Sequence, residues 1–320
     1  MALASEQELK DALSGNDKNR ASAILEELRQ HDHLNSFLKG LVVYPRYFSP
    51  IDIGHILDLG IDPNHIIAGG TLLASGAYHG KFDLDDKTKQ RRIFITLLKR
   101  GADPNKSFTP AESGAGNDSL SIFSMLILPT LGRDEIQEPS LTQLMEELCK
   151  AGLKVKATGA GELPLLQQAV LNLSPTVLLR TNPLRPFKPQ EASDILSMLT
   201  ALGADLSLPF PKTNAHIEQH YLASDYKIKR LNPENKSPIA LLEAYRDTVV
   251  NAMDQPENLQ KTLTEGSEYA WGSQLRGYET NLERLEQLKQ FYDKVIQTLK
   301  QRYTASGPST SPAATMGNSR

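Results

Sequence analysis

Apolar and polar positions along this chain predict short amphipathic helices, each ended by a glycine. The clearest example is the segment 97–105, LLKRGADPN, where two leucines complete a helical face just before Gly101. The segment 56–64, ILDLGIDPN, repeats that order closely. Two further segments, 148–154 and 199–206, keep the helix end and the glycine but lack the Pro and the Asn. The four glycines lie 41, 51 and 51 residues apart, which indicates a stretched and degenerate repeat.

The turn residues are those that a helix end requires. Glycine adopts the left-handed backbone conformation that ends a helix. Proline then fixes φ, and Asp and Asn side chains bond to nearby backbone amides, which favours a tight turn. LLKRGADPN resembles the end of an ankyrin repeat, where the outer helix ends in Gly-Ala-Asp before a hairpin-like loop. The resemblance implies an all-α fold, an ankyrin-like α-solenoid of stacked helical pairs with long inter-helix loops. Other helical-pair repeats are the alternative.

The order of these patterns predicts the domain organisation. Segments 163–169 and 236–244 resemble the start of the family's inner helix and carry its proline, whereas 71–77 lacks the proline and the histidine. The chain is therefore divided into an N-terminal helical cap (1–50), degenerate ankyrin repeats (51–265) with an insertion at about 206–235, a C-terminal amphipathic helix (266–303) and a disordered tail (304–320).

Residues 280–303 form the most regular amphipathic pattern in the chain. Its apolar positions recur at spacings of three and four, and charged residues flank them, as in an amphipathic helix or a short coiled coil. Docking of this helix on the last repeat and self-association as a coiled-coil oligomeriser are both compatible with the pattern. The apolar stripe consists of Leu282, Leu285, Leu288, Tyr292, Val295, Leu299 and Tyr303.

Composition excludes several classes of protein. A formal charge of −3 argues against a dedicated nucleic-acid binder, which carries a basic face. The one cysteine, Cys149, excludes an intramolecular disulfide and any CxxC zinc site. No apolar run is long enough for a membrane span, and residues 1–6 lead directly into a charged helix without the apolar core of a signal peptide. A cytoplasmic location is the expectation.

One cluster has metal-ligand character. His216 and His220 stand four residues apart, but Glu218 does not directly follow the first histidine as in the zincin motif, and the pattern supplies no third ligand. No nucleophile-and-base set or phosphate-loop motif accompanies it. The sequence therefore predicts no catalytic residue, no metal and no cofactor. An enzyme whose site is built from the 206–235 insertion is the alternative.

The ankyrin resemblance implies a non-catalytic protein–protein interaction module that binds through its concave face and turn tips. Insertion-rich ankyrin arrays with a polar tail also resemble proteins that intracellular bacteria deliver into host cells. As such an effector, the chain would act on a host protein and be secreted into the host cell without a cleavable signal peptide. The residues expected near the turn tips and the inner-helix end are Asp62, Asn64, His65, Tyr78, His79, Asp103, Asn105 and Lys106.

Overall fold

The structure is a computed structural model that is mainly helical. The expectation of a helical chain is thereby confirmed. Two very short strands depart from the all-α expectation and form a hairpin after the first glycine turn, where the resemblance implied a hairpin-like loop. It describes residues 2–43, 49–67, 69–80, 87–109, 120–132, 138–156, 163–179, 187–211, 233–254 and 282–306. Most of the predicted insertion (212–232), residues 255–281 and most of the predicted tail (307–320) lie outside the described residues.

Along the chain, a glycine turn follows each of the helices that end at Asp58, Lys99, Lys150 and Ala201. Two strands, β1 and β2, lie between the fourth and fifth helices and pair antiparallel, with Ile66 opposite Thr71. In chain order the elements are α1 (Ala2–Ser14), α2 (Lys18–Gln30), α3 (Leu34–Val43), α4 (Pro50–Asp58), β1 (Ile66–Ile67), β2 (Gly70–Thr71), α5 (Leu72–Gly80), α6 (Lys87–Lys99), α7 (Ile122–Leu126), the 3₁₀ helix η1 (Leu128–Thr130), α8 (Leu141–Lys150), α9 (Leu165–Asn172), α10 (Pro175–Leu179), α11 (Pro189–Ala201), α12 (Pro238–Asp254) and α13 (Leu282–Ser306).

Two of these helices begin with a reciprocal capping box. Ser49 Oγ accepts the backbone N–H of Asp52 at 3.1 Å, and the Asp52 carboxylate accepts the N–H of Ser49 at 2.7 Å. Ser140 and Gln143 make the same pair of bonds at the start of α8. Each box satisfies two amides that the first helical turn leaves without an intrahelical acceptor. The sequence thus specifies where α4 and α8 begin, and a glycine specifies where each ends.

The helix contacts follow two series along the chain. In one series α3 packs on α5, α5 on α7, α7 on α9 and α9 on α12. In the other α4 packs on α6, α6 on α8, α8 on α11 and α11 on α13. The pairs α5–α6, α9–α11 and α12–α13 connect the two series. One continuous hydrophobic core consequently runs from Leu9 in α1 to Leu299 in α13.

The C-terminal helix α13 packs on α11 and α12. Its apolar stripe from Leu285 to Leu299 is buried, whereas Tyr303 is partly exposed. At the rim of the contact, Lys300 Nζ lies 2.6 Å from a Glu243 carboxylate oxygen of α12. A coiled coil through 280–303 would require the same apolar face, which the chain already covers.

Tyr292 is expected to contribute to stability through a buried hydrogen bond. Its hydroxyl donates to the carbonyl oxygen of Leu173 at 2.6 Å, and burial, followed by the neighbouring Tyr245, raises the pKa of the Tyr292 phenol well above its ordinary value. A pKa raised in the folded state favours the neutral phenol, so the stabilisation is complete below about pH 10 and is lost above it. We expect Tyr292→Phe to lower the free energy of unfolding by about 1 kcal/mol at neutral pH and to weaken the alkaline loss of stability.

Chemical denaturation across neutral and alkaline pH measures both effects. Tyr303→Phe is the matched control, since Tyr303 is 42% exposed on the same helix. An unchanged alkaline slope in Tyr292→Phe would contradict the role assigned to the buried phenol.

Candidate functional site

The four glycine turns lie at the ends of α4, α6, α8 and α11. Gly60, Gly101, Gly152 and Gly203 have φ values of 94°, 91°, 87° and 92°. No neighbouring heavy atom lies within 4 Å of an added Cβ at any of them, so backbone conformation, not lack of space, requires glycine. The left-handed helix ends predicted from the sequence are confirmed.

An aspartate two residues after the glycine tightens three of the turns. Asp62 Oδ1 accepts the backbone N–H of Asn64 at 2.8 Å, and Asp103 Oδ1 accepts that of Asn105 at 2.9 Å. Asp205 Oδ1 accepts the N–H of Ser207 at 2.7 Å. These are the turns in which a short carboxylate replaces a backbone acceptor.

An asparagine links each of the first two turns to the next. Asn64 Nδ2 donates to the carbonyl oxygen of Gly101 at 2.9 Å, and Asn64 Oδ1 accepts the N–H of Asp103 at 2.7 Å. Asn105 Nδ2 donates to the carbonyl oxygen of Gly152 at 3.0 Å, and its Oδ1 accepts the N–H of Lys154 at 2.8 Å. We call these four bonds the asparagine ladder. It joins three successive turns with the same geometry twice.

The third turn departs from that pattern. Lys154 and Lys156 stand two and four residues after Gly152, where the first two turns have Asp and Asn. A lysine ammonium donates hydrogen bonds and accepts none, so neither residue reproduces the two-way bonding of an asparagine amide. Both lysines are exposed, while Val155 between them is buried.

Backbone pairing follows each turn. The N–H of Leu72 donates to the carbonyl oxygen of His65 beside the β1–β2 hairpin, and the N–H of Leu165 donates to that of Val155 in the same manner. Phe108 and Leu120 exchange both backbone bonds, and Phe210 forms a parallel bridge with Glu234. Thr109 N–H donates to the Gly69 carbonyl oxygen at 2.9 Å, so the β1–β2 hairpin bonds to the segment that follows the second turn.

The structure brings the predicted partner-binding residues of the first two turns into one region. Asp62 and Lys106 are exposed, whereas Asn64, Asp103 and Asn105 are half-buried. The ladder uses both amide groups inside the chain, so Asn64 and Asn105 hold turns together. Their prediction as partner contacts is untested.

The other three predicted residues lie beside these turns. His65 Nε2 is 2.7 Å from Asn35 Oδ1 of α3. Tyr78 stacks on Phe108 with ring centroids 4.2 Å apart, and His79 meets Phe108 edge-on at 5.5 Å. Because Phe108 follows the second turn, it brings the end of α5 against that turn. Sequence reasoning did not identify Phe108.

Sequence reasoning also missed Ile66, an exposed large apolar side chain that closely follows the first turn. Ile66 is 71% exposed beside Ile67, which is 1% exposed. This alternation is the signature of a strand with one buried face. The residues β1 contributes are too few for a period-two pattern to be recognised among the surrounding helices.

The thiol of Cys149 lacks the setting of a reactive group. Burial, followed by Glu146, raises its pKa, which disfavours the thiolate. In the described ranges, no three His, Cys, Asp or Glu residues converge as a metal site would require. His216, Glu218 and His220 lie outside the described residues.

Comparisons with family models, with curated proteins and with solved structures find no match to this chain. Within the part of the chain that the structure describes, every helix is too short or too polar to cross a bilayer.

Proposed function

We propose that the chain is an ankyrin-type stack of helical pairs that binds a protein partner without catalysing a reaction. The binding surface is the turn edge, defined as residues 62–66 and 103–106 with Tyr78 and His79. The two series of helix contacts support the stacked arrangement, since each helix packs on its neighbours along the chain. Such stacks present their turns and inner helices as one extended surface.

The observation that carries this proposal is the asparagine ladder. Asn64 and Asn105 make the same bonds to successive turns, 41 residues apart in the chain. Side chains on neighbouring turns are therefore held at fixed positions relative to one another. A pre-organised surface loses less conformational entropy when a partner binds, which favours a recognition role.

The turn edge also has the chemistry of a protein-binding surface. Ile66 supplies exposed apolar area, and Tyr78 and His79 supply half-buried aromatic rings that pack against Phe108. Exposed Asp62 and Lys106 supply polar contacts around them. Aromatic and apolar anchors surrounded by polar residues are typical of binding hot spots.

The alternative functions have less support. Self-association through α13 would compete with the packing of the same stripe on α11 and α12. An enzyme site in the 206–235 insertion would rest largely on residues outside the described ranges.

Substitution of Ile66 tests the proposal. We expect Ile66→Asp to weaken partner binding about thirtyfold in an affinity capture from eukaryotic lysate, since a hot-spot side chain contributes about 2 kcal/mol. Ile51→Asp is the matched control. Ile51 is 68% exposed, close to the 71% of Ile66, and lies in the first turn of α4, about 13 Å along the helix from Gly60.

Quantitative mass spectrometry of the captured proteins would compare both variants with the parent chain. A partner lost with Ile66→Asp and kept with Ile51→Asp supports the turn edge as the binding surface. Equal retention by all three proteins would overturn the choice of surface. Absence of any saturable partner would overturn the proposed function itself.

A further inference from the structure

Three lysines lie together where the second and third turns meet. Lys106 directly follows Asn105, whose Oδ1 accepts the backbone N–H of Lys154 at 2.8 Å. Lys154 and Lys156 flank the buried Val155, so both point away from the core on the same side of the strand-like segment. We name Lys106, Lys154 and Lys156 the basic turn cluster.

We propose that the basic turn cluster binds a short carboxylate-rich segment of the partner protein. This inference rests on the proposed function, since it gives the chemical class of the segment that the same edge recognises. The cluster extends the turn edge from the second turn to the third.

Two basic residues near the same turns are already paired with acids of the chain. Arg100 pairs with Asp58, and Lys150 Nζ lies 2.8 Å from a Glu147 carboxylate oxygen. Within the described ranges, Lys106, Lys154 and Lys156 form no such ion pair. Because the chain as a whole carries a formal charge of −3, this positive cluster stands against a negative background. A carboxylate ligand would therefore be steered to this part of the surface.

The acids around the cluster restrict the length of an anionic ligand. Asp62 is exposed on the first turn and Asp205 on the fourth, at either side of the lysines along the series of turns. A long polyanion, such as a DNA duplex, or the plane of an anionic membrane would meet these carboxylates on both sides. A short acidic peptide segment contacts the lysines without reaching the carboxylates of Asp62 and Asp205. Asp103, three residues before Lys106, already accepts bonds from Asn105 through its Oδ1.

A charge-reversal variant with a charge-matched control tests this inference. The probe is a fluorescein-labelled oligo-glutamate peptide, titrated with the full chain by fluorescence anisotropy at about 0.15 M salt. We expect Lys106→Glu/Lys154→Glu/Lys156→Glu to weaken binding about tenfold, since each exposed ion pair contributes roughly a factor of two. Lys18→Glu/Arg20→Glu/Lys294→Glu makes the same change of charge at exposed positions on α2 and α13 and is expected to bind as the parent does.

Three further measurements establish the class of ligand and check that the variants fold. Circular dichroism checks each variant, and Lys106→Gln/Lys154→Gln/Lys156→Gln replaces the charge-reversal variant if that one unfolds. A short DNA duplex and phosphatidylserine vesicles are titrated in parallel and are expected to bind more weakly than the peptide. Equal weakening in the control variant, or tighter binding of duplex or vesicles, would overturn the inference.

The partner captured in the Ile66 experiment separates the two proposals. Loss of that partner from the lysine variant supports the inference. A partner lost with Ile66→Asp but retained by the lysine variant would overturn the acidic-segment inference and leave the proposed function standing. Peptide binding by the lysines without any captured partner would overturn the proposed function instead.

Discussion

Val295→Asp is expected to lower the unfolding temperature of the whole chain by about 10 °C. Val295 stands in the centre of α13 and is 0% exposed, so its side chain lies in the contact between this helix and its neighbours. An aspartate there would bury an unpaired carboxylate, which costs about 4 kcal/mol, and each kcal/mol lowers the midpoint of a domain of this size by about 3 °C. Because one hydrophobic core runs from α1 to α13, the change should shift a single cooperative transition.

Gln297→Asp is the matched control for this prediction. Gln297 is exposed two residues further along the same helix, so the same carboxylate remains hydrated there. Its expected effect is within about 0.5 kcal/mol. Differential scanning calorimetry measures the shift, and light scattering measures the mass. If α13 served only for self-association, Val295→Asp would dissociate an oligomer and leave the unfolding temperature of the remaining chain unchanged.

The sequence predicted the apolar stripe of α13 well and could not identify what covers it. Spacings of three and four residues are local information, and they define one buried face of a helix. The covering helices are distant in sequence. Lys300 pairs with Glu243, and Tyr292 reaches Leu173, across 57 and 119 residues respectively. Only the folded chain reveals such pairs.

The glycine turns were also predictable, since each requires a left-handed residue at a helix end. The contacts between turns were not, because they depend on how segments far apart in the sequence pack together. Asn64 bonds to Gly101 across 37 residues, and Asn105 bonds to Gly152 across 47. A polar residue at a turn tip looks solvent-facing in the sequence, which is why both asparagines were predicted to face a partner.

Part of the candidate surface was beyond sequence reasoning for a different reason. Ile66 belongs to a strand of two residues, too short for alternation to identify its exposed face. Phe108 is 2% exposed, and only its contacts with Tyr78 and His79 relate it to the end of α5. Packing between elements determines both which side chain of β1 is exposed and what Phe108 contacts.

Asn105→Ala is expected to lower the free energy of unfolding by about 2 kcal/mol. The Asn105 amide donates to the Gly152 carbonyl and to Asp103 Oδ1, both at 3.0 Å, and accepts the N–H of Lys154. Alanine removes all three bonds, and each contributes about 1 kcal/mol net, less what water recovers at this half-exposed turn. The expected fall in unfolding temperature is about 5 °C.

Asn19→Ala is the matched control, since Asn19 is exposed on α2 and alanine suits a helix. Its expected change is within about 0.5 kcal/mol. Asn64→Ala should cost about as much as Asn105→Ala, and the double variant should deviate from additivity because Asp103 bonds to both asparagines. Urea denaturation of the parent chain and the four variants measures these terms.

The same variants distinguish a stacking role of the asparagines from a partner-binding one. If the ladder stabilises the stack, Asn105→Ala lowers stability whether or not a partner is present. If the amide instead faces a partner, Asn105→Ala leaves the unfolding curve of the free chain unchanged and weakens only partner capture. The second outcome would contradict the ladder as the observation that supports a pre-organised turn edge, because the turns would then hold their positions without it.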